Sequence, residues 1–378
     1  MRDEINGVRT WIELDTKAIQ NNIAAFRERI PSTCKLCAVV KSNAYGHGLV
    51  DFSKTVVAMG VDWLAVDSIT EALRLRREGI TIPIIVLGFT LPEMLGPARD
   101  NDISITVSSI FMLEKIAELP AGKQLRIHLK VDTGMGRQGF NVTDIDRVMR
   151  FLKDHPENIA VAGLYTHFAA AKNPAVSGET LEQLAIFEKW TDAVAAAGYK
   201  PIRHAPATAG TIAFPQAQFD MVRMGIGLYG LWPSLETKIF AENTMKLAPV
   251  MSWRTIISEI KEMPKGQKVG YDFTEQLSRD SKIAVCPIGY WHGFPRCLSS
   301  IGRVLVRGKV AKVVGRVAMD MIVIDVTDIP DVSILDQVTL LGKDGTTEIT
   351  AYDIATLAAG SWYKIITRIN PLIKKIYR

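Results

Sequence analysis

The chain contains 378 residues, of which 48% are hydrophobic and 22% are charged, a composition typical of a globular protein with more than one domain. Its formal net charge of +5 is spread along the sequence, with no dense basic block before Lys374-Lys375, so a nucleic-acid partner is not indicated. The stretch MRDEINGVRTWIELD lacks an apolar signal core, and no segment reaches the ~18 apolar residues that span a membrane, so a cytoplasmic location is expected.

The spacing of the four cysteines does not predict a metal site. Cys34 and Cys37 are separated by two residues, as in many zinc and redox sites, but Cys286 and Cys297 lie eleven residues apart and do not complete a ligand set. Because Cys37 falls inside an apolar run, buried and reduced thiols are expected instead.

From residue 10 to about 240, short apolar runs alternate with longer segments whose apolar residues have helical spacing. Eight strand–helix units over this length predict a (β/α)8 TIM-type barrel, provisionally residues 1–243. Chemistry in such a barrel gathers at the carboxyl ends of the strands. The eight predicted strands are Leu36–Val40, Trp63–Val66, Ile84–Leu87, Ile103–Val107, Leu125–Val131, Ile159–Tyr165, Pro201–His204 and Met221–Gly225.

After about residue 245 the pattern changes to short β-branched runs punctuated by glycine and proline, followed by one amphipathic helix near Ala351–Ala359. This predicts a mainly-β domain over residues 244–378. The sequence leaves open whether the early strand Thr10–Leu14 pairs into it. The predicted strands are Val250–Ile260, Lys282–Ile288, Val304–Val306, Lys309–Val314, Met321–Val326 and Gln337–Leu341.

The first predicted barrel strand delivers Lys41 into the stretch VVKSNAYGHG. A lysine at the end of a buried strand either points into water or loses solvent, in which case its amine becomes available for Schiff-base chemistry. The stretch resembles the cofactor-lysine signature of the alanine racemases, which carry pyridoxal 5'-phosphate (PLP) on that lysine. The resemblance implies that Lys41 binds the cofactor and acts as a catalytic base, and it places Tyr45 among the cofactor contacts.

The fifth strand runs into a glycine-rich turn that contains Arg137, whose planar guanidinium suits a carboxylate or phenolate unless it is simply solvated. HLKVDTGMGRQGF resembles the second signature of the family, which assigns Arg137 to the substrate carboxylate. Lys130 matches a lysine that carries a carbamate in many members; whether it does so here is left open by the sequence.

Two histidine-containing segments follow at strand ends. On its residue type alone, His167 is equally suited to be a general base, a ring-stacking partner or a core residue. The resemblance makes it a stacking partner for the pyridine ring. In HAPATAG, Thr208 retains a hydroxyl for the cofactor phosphate, whereas Ala207 replaces the usual asparagine.

The segment DMVRMGIGLYG contains the eighth predicted strand and the residues after it, and combines three glycines with one arginine. Successive backbone N–H groups of such a segment can face an anion, and phosphate is the expected one, at Gly225 and Ile226. In the family, the position of Arg223 lies beside the pyridine nitrogen. Because an arginine does not give up a proton, that nitrogen is expected to stay unprotonated.

In the second domain, tyrosine beside glycine usually packs structurally, but Tyr271 matches the second base of the family. Met319, in GRVAMD, matches the residue whose backbone N–H binds the substrate carboxylate. In this family both come from the partner subunit, which implies a homodimer. The chain departs from the family at Lys172, Trp291 and His292, positions that line the substrate access corridor.

Five motifs in the order and spacing of the family imply a PLP-dependent racemase that interconverts L- and D-alanine and supplies D-alanine for peptidoglycan. Three alternatives remain. A serine or broad-specificity racemase shares the catalytic residues, and a non-catalytic PLP-binding protein has only the barrel. A fold-related decarboxylase has a different glycine-rich phosphate pattern.

Overall fold

The first strand of the chain belongs to a sheet whose other strands come from the far end of the sequence. In the computed structural model, which describes residues 6–378, strand β1 (Thr10–Leu14) pairs antiparallel with Met251–Ile256 and parallel with Lys374–Tyr377. The structure thus supplies the pairing that the sequence left open. Residues 1–5, which were included in the predicted barrel domain and in the stretch without a signal core, lie outside the described residues.

The described chain forms two units. The β unit comprises the residues up to Lys17, Tyr45–Gly48 and Pro249–Arg378, and the barrel unit comprises Ala18–Ala44 and Leu49–Ala248. The division between residues 243 and 244 stays a prediction.

The barrel unit contains eight parallel strands that lie side by side in chain order, and the first of them also pairs with the last. An isolated bridge between Ala207 and Arg223 brings the last strand beside the end of the seventh. The predicted TIM-type fold is therefore confirmed. Each strand lies within about a residue of its predicted position, because buried parallel strands form uninterrupted apolar runs. They are β2 (Lys35–Val39), β3 (Trp63–Val66), β4 (Ile84–Val86), β5 (Ile103–Val107), β6 (Leu125–Lys130), β7 (Ile159–Tyr165), β8 (Ile202–His204) and β9 (Met221–Met224).

Helices connect these strands, and several begin with a serine cap. Ser68 and Glu71 form a reciprocal capping box at the start of Ile69–Arg77, and Ser109 caps Ile110–Ala117. The other helices of this unit are Thr16–Arg27, which begins at the edge of the β unit, and Leu49–Ala58, Leu95–Asp100, Ile145–Asp154, Gly178–Ala196, Thr208–Ala213 and Leu235–Ala241.

The β unit is built around a ten-stranded sheet, as expected for the mainly-β domain. One predicted strand, Val250–Ile260, is two strands, which separate at Ile257-Ser258 and pair with different neighbours. The sheet contains β1 together with β10 (Met251–Ile256), β11 (Glu259–Met263), β14 (Ser281–Cys286), β15 (Arg303–Val306), β16 (Lys309–Val313), β17 (Ile322–Asp325), β18 (Gln337–Asp344), β19 (Thr347–Ile349) and β20 (Lys374–Tyr377). Two further strands, β12 (Lys268–Val269) and β13 (Glu275–Gln276), pair only with each other.

Two short helices complete the β unit, Ala351–Leu357, near the predicted position, and Trp362–Thr367. Thr350 and Asp353 form a capping box that starts the first of them. Among the described residues, no helix combines the length and apolar character needed to cross a membrane.

Candidate active site

Lys41 lies two residues after the end of β2, at the carboxyl end of the barrel strands, as predicted. The strand is held there by the N–H of Val40, which donates to the carbonyl of Ala65 at 2.8 Å. The Lys41 Nζ lies 3.2 Å from Oδ1 of Asp67, the residue that follows β3. Both side chains retain solvent contact, with 36% and 57% of their surface exposed, so the amine is within reach of a ligand at the mouth of the barrel.

The chain after Lys41 forms a left-handed turn that the sequence did not predict. Four successive residues, Ser42 to Tyr45, have φ between 50° and 57°. Left-handed backbone costs about 1–2 kcal/mol per L-residue, so the surroundings must hold the turn. The N–H of Asn43 donates to Glu71 Oε1 at 3.3 Å, and Asn43 Oδ1 accepts from the N–H of Leu49 at 2.9 Å.

Arg223 lies on β9 and is almost fully buried. Its Nη1 donates to Nδ1 and to the carbonyl of His204, at 2.7 and 3.0 Å. Its Nη2 donates to the carbonyls of Thr166 and Ala205, both at 2.8 Å. Burial lowers the pKa of Arg223 to about 10, so the guanidinium stays charged at neutral pH. Within the described chain, this leaves Nε as the nitrogen available to a ligand.

His167 lies beside this guanidinium, with its Nδ1 3.4 Å from Arg223 Nη2. Burial, and next the charge of Arg223, lower the pKa of His167 to about 3. A neutral imidazole whose Nδ1 accepts from arginine presents a flat, uncharged ring. This geometry suits packing against an aromatic ring better than it suits general base catalysis.

The predicted phosphate contacts converge at the end of β9. The Oγ1 of Thr208 accepts from the N–H of Gly227 at 3.3 Å, which leaves its own O–H to donate. Gly225 precedes a short 3₁₀ turn, Ile226–Tyr229. A Cβ on Gly227 would lie 2.5 Å from the Phe26 ring and 2.6 Å from Thr208 Cγ2, so only glycine permits this approach.

Tyr229 connects this turn to the strand that carries Lys41. Its hydroxyl donates to the carbonyl of Val39 at 2.9 Å, and its ring stacks on Phe52 at 4.8 Å. The end of β9 and the end of β2 are therefore held side by side, which brings the predicted phosphate contacts and Lys41 to one mouth of the barrel.

Asp132 organises the loop that carries Arg137. Its two carboxylate oxygens accept from the N–H groups of four successive residues, 134 to 137, at 2.8–3.2 Å. Partial burial raises the pKa of Asp132, but these four bonds outweigh that effect and hold it below its ordinary value. Arg137 itself is exposed. The sequence analysis assigned no role to Asp132, although aspartate before a glycine-rich turn is typical of such backbone contacts.

Lys130 is a second amine in the barrel mouth. It is buried, its Nζ donates to Gln138 Oε1 at 3.1 Å, and it lies 5.6 Å from the centre of the Tyr165 ring. Burial, followed by the charges of Arg137 and Arg223, lowers the pKa of Lys130 to about 8. A large fraction of this amine is therefore uncharged in weakly basic solution.

In the β unit, Tyr271 projects from a tight turn and is 70% exposed. The turn is fixed by Gly270 (φ 77°), by Asp272 (φ 57°), and by an ion pair between Asp272 and Arg316 at 3.0 Å. Met319 is 53% exposed. The neighbouring segments are joined by N–H groups of Tyr290 and Trp291 that donate to the carbonyls of Ala318 and Met319, both at 3.0 Å.

Tyr45 closes the left-handed turn and is half-buried in the β unit. Its carbonyl lies 3.2 Å from Nδ1 of His47. Burial, together with the neighbouring phenols of Tyr45 and Tyr352, raises the pKa of Tyr363. Tyr45 therefore belongs to a cluster of tyrosines with Tyr352 and Tyr363.

The three departures from the family pattern have different surroundings. The carbonyl of Lys172 accepts from the hydroxyls of Ser234 and Thr237, at 2.6 and 2.8 Å. His292 is buried and its Nδ1 accepts from the N–H of Gly289 at 3.2 Å, whereas Trp291 is 49% exposed. His292 thus supports the local fold, while Trp291 is available for contact.

The barrel unit brings together Lys41, His167, Thr208, Arg223 and the Gly225-Ile226 turn. Each group suits a different part of one ligand. The Thr208 hydroxyl and the glycine turn can bind a phosphate, the remaining N–H of the buried Arg223 guanidinium can donate to an unprotonated ring nitrogen, and the Lys41 amine can react with a carbonyl. These residues fit the predicted cofactor. Tyr45, Tyr271 and Met319 lie in the β unit.

The two halves of the chain match two family models. Residues 14–233 match "Alanine racemase, N-terminal domain", and residues 250–377 match "Alanine racemase, C-terminal domain". An alanine racemase of Methanococcus maripaludis is 40% identical over 376 residues, covering 97% of this chain and 98% of the relative. One from Halothermothrix orenii is 40% identical over 374 residues, covering 98% and 97%. The crystal structure of alanine racemase from Bacillus anthracis with bound L-Ala-P superposes with a TM-score of 0.92, at 35% identity, covering 98% of this chain and 95% of that one.

Proposed function

The chain belongs to the alanine racemase family, and from this premise we propose that it interconverts L- and D-alanine with PLP as cofactor. The observation that carries the proposal is the buried guanidinium of Arg223. Its Nη groups are held by protein acceptors, so that Nε–H remains for a ring nitrogen. We propose further that the enzyme acts in the cytoplasm and that its D-alanine is used in peptidoglycan.

The cofactor contacts divide by chemistry. Lys41 would bind PLP covalently, Thr208, Gly225 and Ile226 would hold its phosphate, and Tyr45 would be a further cofactor contact. His167 packs on the ring, and Arg223 donates to the ring nitrogen without protonating it. When bound, PLP withdraws electrons from an amino acid and makes the Cα proton removable. Because Arg223 keeps the ring nitrogen unprotonated, this withdrawal is moderate, which limits side reactions such as transamination.

Two groups of the chain move the proton at Cα. The amine of Lys41 exchanges the Cα proton of D-alanine, and the phenol of Tyr271 exchanges that of L-alanine from the opposite side. A single base on one side of Cα would not reach the other side, so racemisation would need both residues. Arg137 and the N–H of Met319 bind the substrate carboxylate and keep Cα between the two bases.

We propose that the working unit is a homodimer in which Tyr271 and Met319 serve the site of the partner subunit. Large apolar side chains are exposed in both units of the chain, as on surfaces that another subunit covers. In the β unit these include Tyr271, Phe273 and Met319, at 70%, 67% and 53% exposure. In the barrel unit they include Leu235, Ile239 and Phe240, at 61%, 63% and 56% exposure.

The proposed activity is tested by racemisation assays with purified enzyme and L-alanine, L-serine and L-lysine. We expect the highest kcat/KM with alanine. The proposed bases act on Cα and the proposed contacts hold the carboxylate, so none of these interactions requires a side chain larger than methyl. Higher turnover of serine would favour the serine racemase alternative, and comparable turnover of lysine would favour broad specificity. Bound PLP without turnover of any amino acid would favour the non-catalytic alternative.

We propose that Lys130 carries a carbamate. The ammonium first loses a proton; the uncharged amine then attacks CO₂, forms an N–C bond and releases a second proton, so that a cation becomes an anion beside Arg137. This relieves repulsion from Arg137 and Arg223, the charges that already depress the pKa of the amine.

In bicarbonate buffer above pH 8, native mass spectrometry is expected to show one added CO₂ per chain. The addition should diminish as the pH falls below about 8, because the amine becomes protonated. The Lys130→Arg variant, whose side chain stays charged, is the control and should not gain this mass. An equal gain of mass in both proteins would place the carbamate on another amine. No gain in either protein would contradict the proposal that the chain carries a carbamate.

A further inference from the structure

Two buried histidines continue inward from Arg223 through the barrel core. His204 ends β8 and His128 lies on β6, and neither has measurable solvent exposure. The Nδ1 of His204 lies 2.7 Å from Arg223 Nη1, and its Nε2 lies 2.9 Å from Nδ1 of His128. Neither histidine was assigned a catalytic role by the sequence analysis. Together with Arg223 they form a column of three buried polar side chains joined by hydrogen bonds.

The hydrogen-bonding capacity of arginine fixes the protons in this column. Every guanidinium nitrogen of Arg223 is a donor, so Nδ1 of His204 must be an acceptor. The proton of a neutral His204 is then on Nε2 and is donated to Nδ1 of His128, whose own proton must be on Nε2. Burial, and next the charge of Arg223, keep the pKa of both histidines far below the ordinary value, to about 3 for His128. All the bonds therefore point away from Arg223.

The neighbouring strands are shaped around these two rings. A Cβ on Gly163 of β7 would lie 1.9 Å from His128 Nδ1, and the pairing of β6 with β7 shifts register at His128. Tyr165 stacks on His204 at 4.7 Å with an angle of 4° between the rings. The Tyr165 hydroxyl donates to Thr106 Oγ1 at 2.7 Å, because Thr106 in turn donates to the carbonyl of Val86 at 2.8 Å.

The column ends without a partner. The Nε2 of His128 is buried and has no hydrogen-bond partner in the part of the chain that the structure describes. A buried N–H without an acceptor lowers stability, and an apolar residue of similar shape would avoid that loss. The histidine at this position therefore leaves one buried N–H unpaired, while its Nδ1 accepts from His204.

We propose that His204, supported by His128, is a positioning residue that fixes the guanidinium of Arg223 so that Nε–H is presented to the ligand. An acceptor at this point adds a side-chain bond to the three backbone carbonyls that hold the guanidinium, and a neutral one adds no second positive charge. The identification of the ligand atom as the pyridine nitrogen of PLP rests on the proposed function. The proton positions of the two histidines and the orientation of Arg223 do not depend on the proposed function.

The proton positions can be measured directly. In the full-length protein labelled with ¹⁵N-histidine, long-range ¹H–¹⁵N spectra distinguish Nδ1–H from Nε2–H tautomers. The chain has six histidines, and each signal can be assigned by its loss in a single variant. Both His204 and His128 are expected to be neutral and protonated on Nε2 at neutral pH. A His204 that is cationic or protonated on Nδ1 would overturn the inference, whether or not the protein binds PLP.

Kinetics then separate positioning from packing. The His204→Asn variant keeps an acceptor near the position of Nδ1, whereas His204→Leu removes it. We expect kcat of the leucine variant to fall about 10- to 100-fold with little change in KM for alanine, as when an outer partner that orients a reactive group is lost. The asparagine variant should recover most of this loss, and His155→Leu, which changes an exposed histidine, should retain wild-type kcat.

Equal losses in the leucine and asparagine variants, or no loss in either, would contradict a positioning role. If His204→Leu does not fold, His128→Phe provides the second test, because it preserves a ring but removes the acceptor for His204 Nε2–H. The phenylalanine variant should lower kcat in the same direction, and wild-type kcat would contradict the inference. A protein without PLP whose tautomers are as expected would refute the proposed function alone.

Discussion

Lys41→Ala is expected to abolish the visible absorbance of lysine-bound PLP and to lower racemisation by about 10³-fold or more, a loss typical of removing a covalent catalytic group. The same substitution removes the covalent attachment and one of the two proposed bases. The measurement is the absorbance spectrum of the purified variant, together with its kcat for both enantiomers of alanine.

Lys35→Ala is the matched control, because Lys35 begins the strand that Lys41 follows and its side chain is exposed. It should retain both absorbance and activity. Lys130 is the rival amine, since burial leaves much of it uncharged in weakly basic solution. Reduction of the wild-type enzyme with borohydride, followed by peptide mapping, decides between them. Label on the peptide with Lys130, or absorbance that persists in Lys41→Ala, would contradict the assignment.

The sequence predicted the barrel well because the information for it is local. A parallel strand buried on both faces is a continuous apolar run, and the eight such runs were found within about a residue of their positions. The β unit was predicted less accurately. The run Val250–Ile260 contains no glycine or proline, so nothing marked the separation at Ile257-Ser258, which arises because β10 and β11 pair with different strands.

The parts of the site that were missed depend on contacts between distant segments. Asn43 accommodates left-handed backbone, but Ser42 and Ala44 do not favour it, and the turn is held by Glu71 from a separate helix. Likewise, the His128–His204 pair joins strands 76 residues apart. A histidine inside an apolar run signals only a buried polar group. Its partner and its proton position follow from the barrel geometry.

The second large effect is expected from Tyr271→Phe, which should lower racemisation about 10²- to 10⁴-fold, the range for loss of a general acid–base group. The PLP absorbance should remain, because Lys41 is unchanged. The loss should be asymmetric in D₂O: Lys41 still exchanges the Cα proton of D-alanine, whereas exchange from L-alanine stops. Tyr199→Phe removes a phenol from the barrel unit and should leave both rates unchanged. Unchanged racemisation by Tyr271→Phe would contradict the role of Tyr271 as a base.

Mixing the two inactive variants tests whether Tyr271 acts in the partner's site. In a dimer of one Lys41→Ala subunit and one Tyr271→Phe subunit, a site shared between subunits combines the intact lysine of one with the intact tyrosine of the other. One site of each mixed dimer is then complete, so activity should reappear after the variants are unfolded and refolded together. If Tyr271 served its own subunit, every site would lack one base and the mixture would stay inactive. Recovery therefore depends on subunit exchange, and each variant refolded alone is the control that must remain inactive.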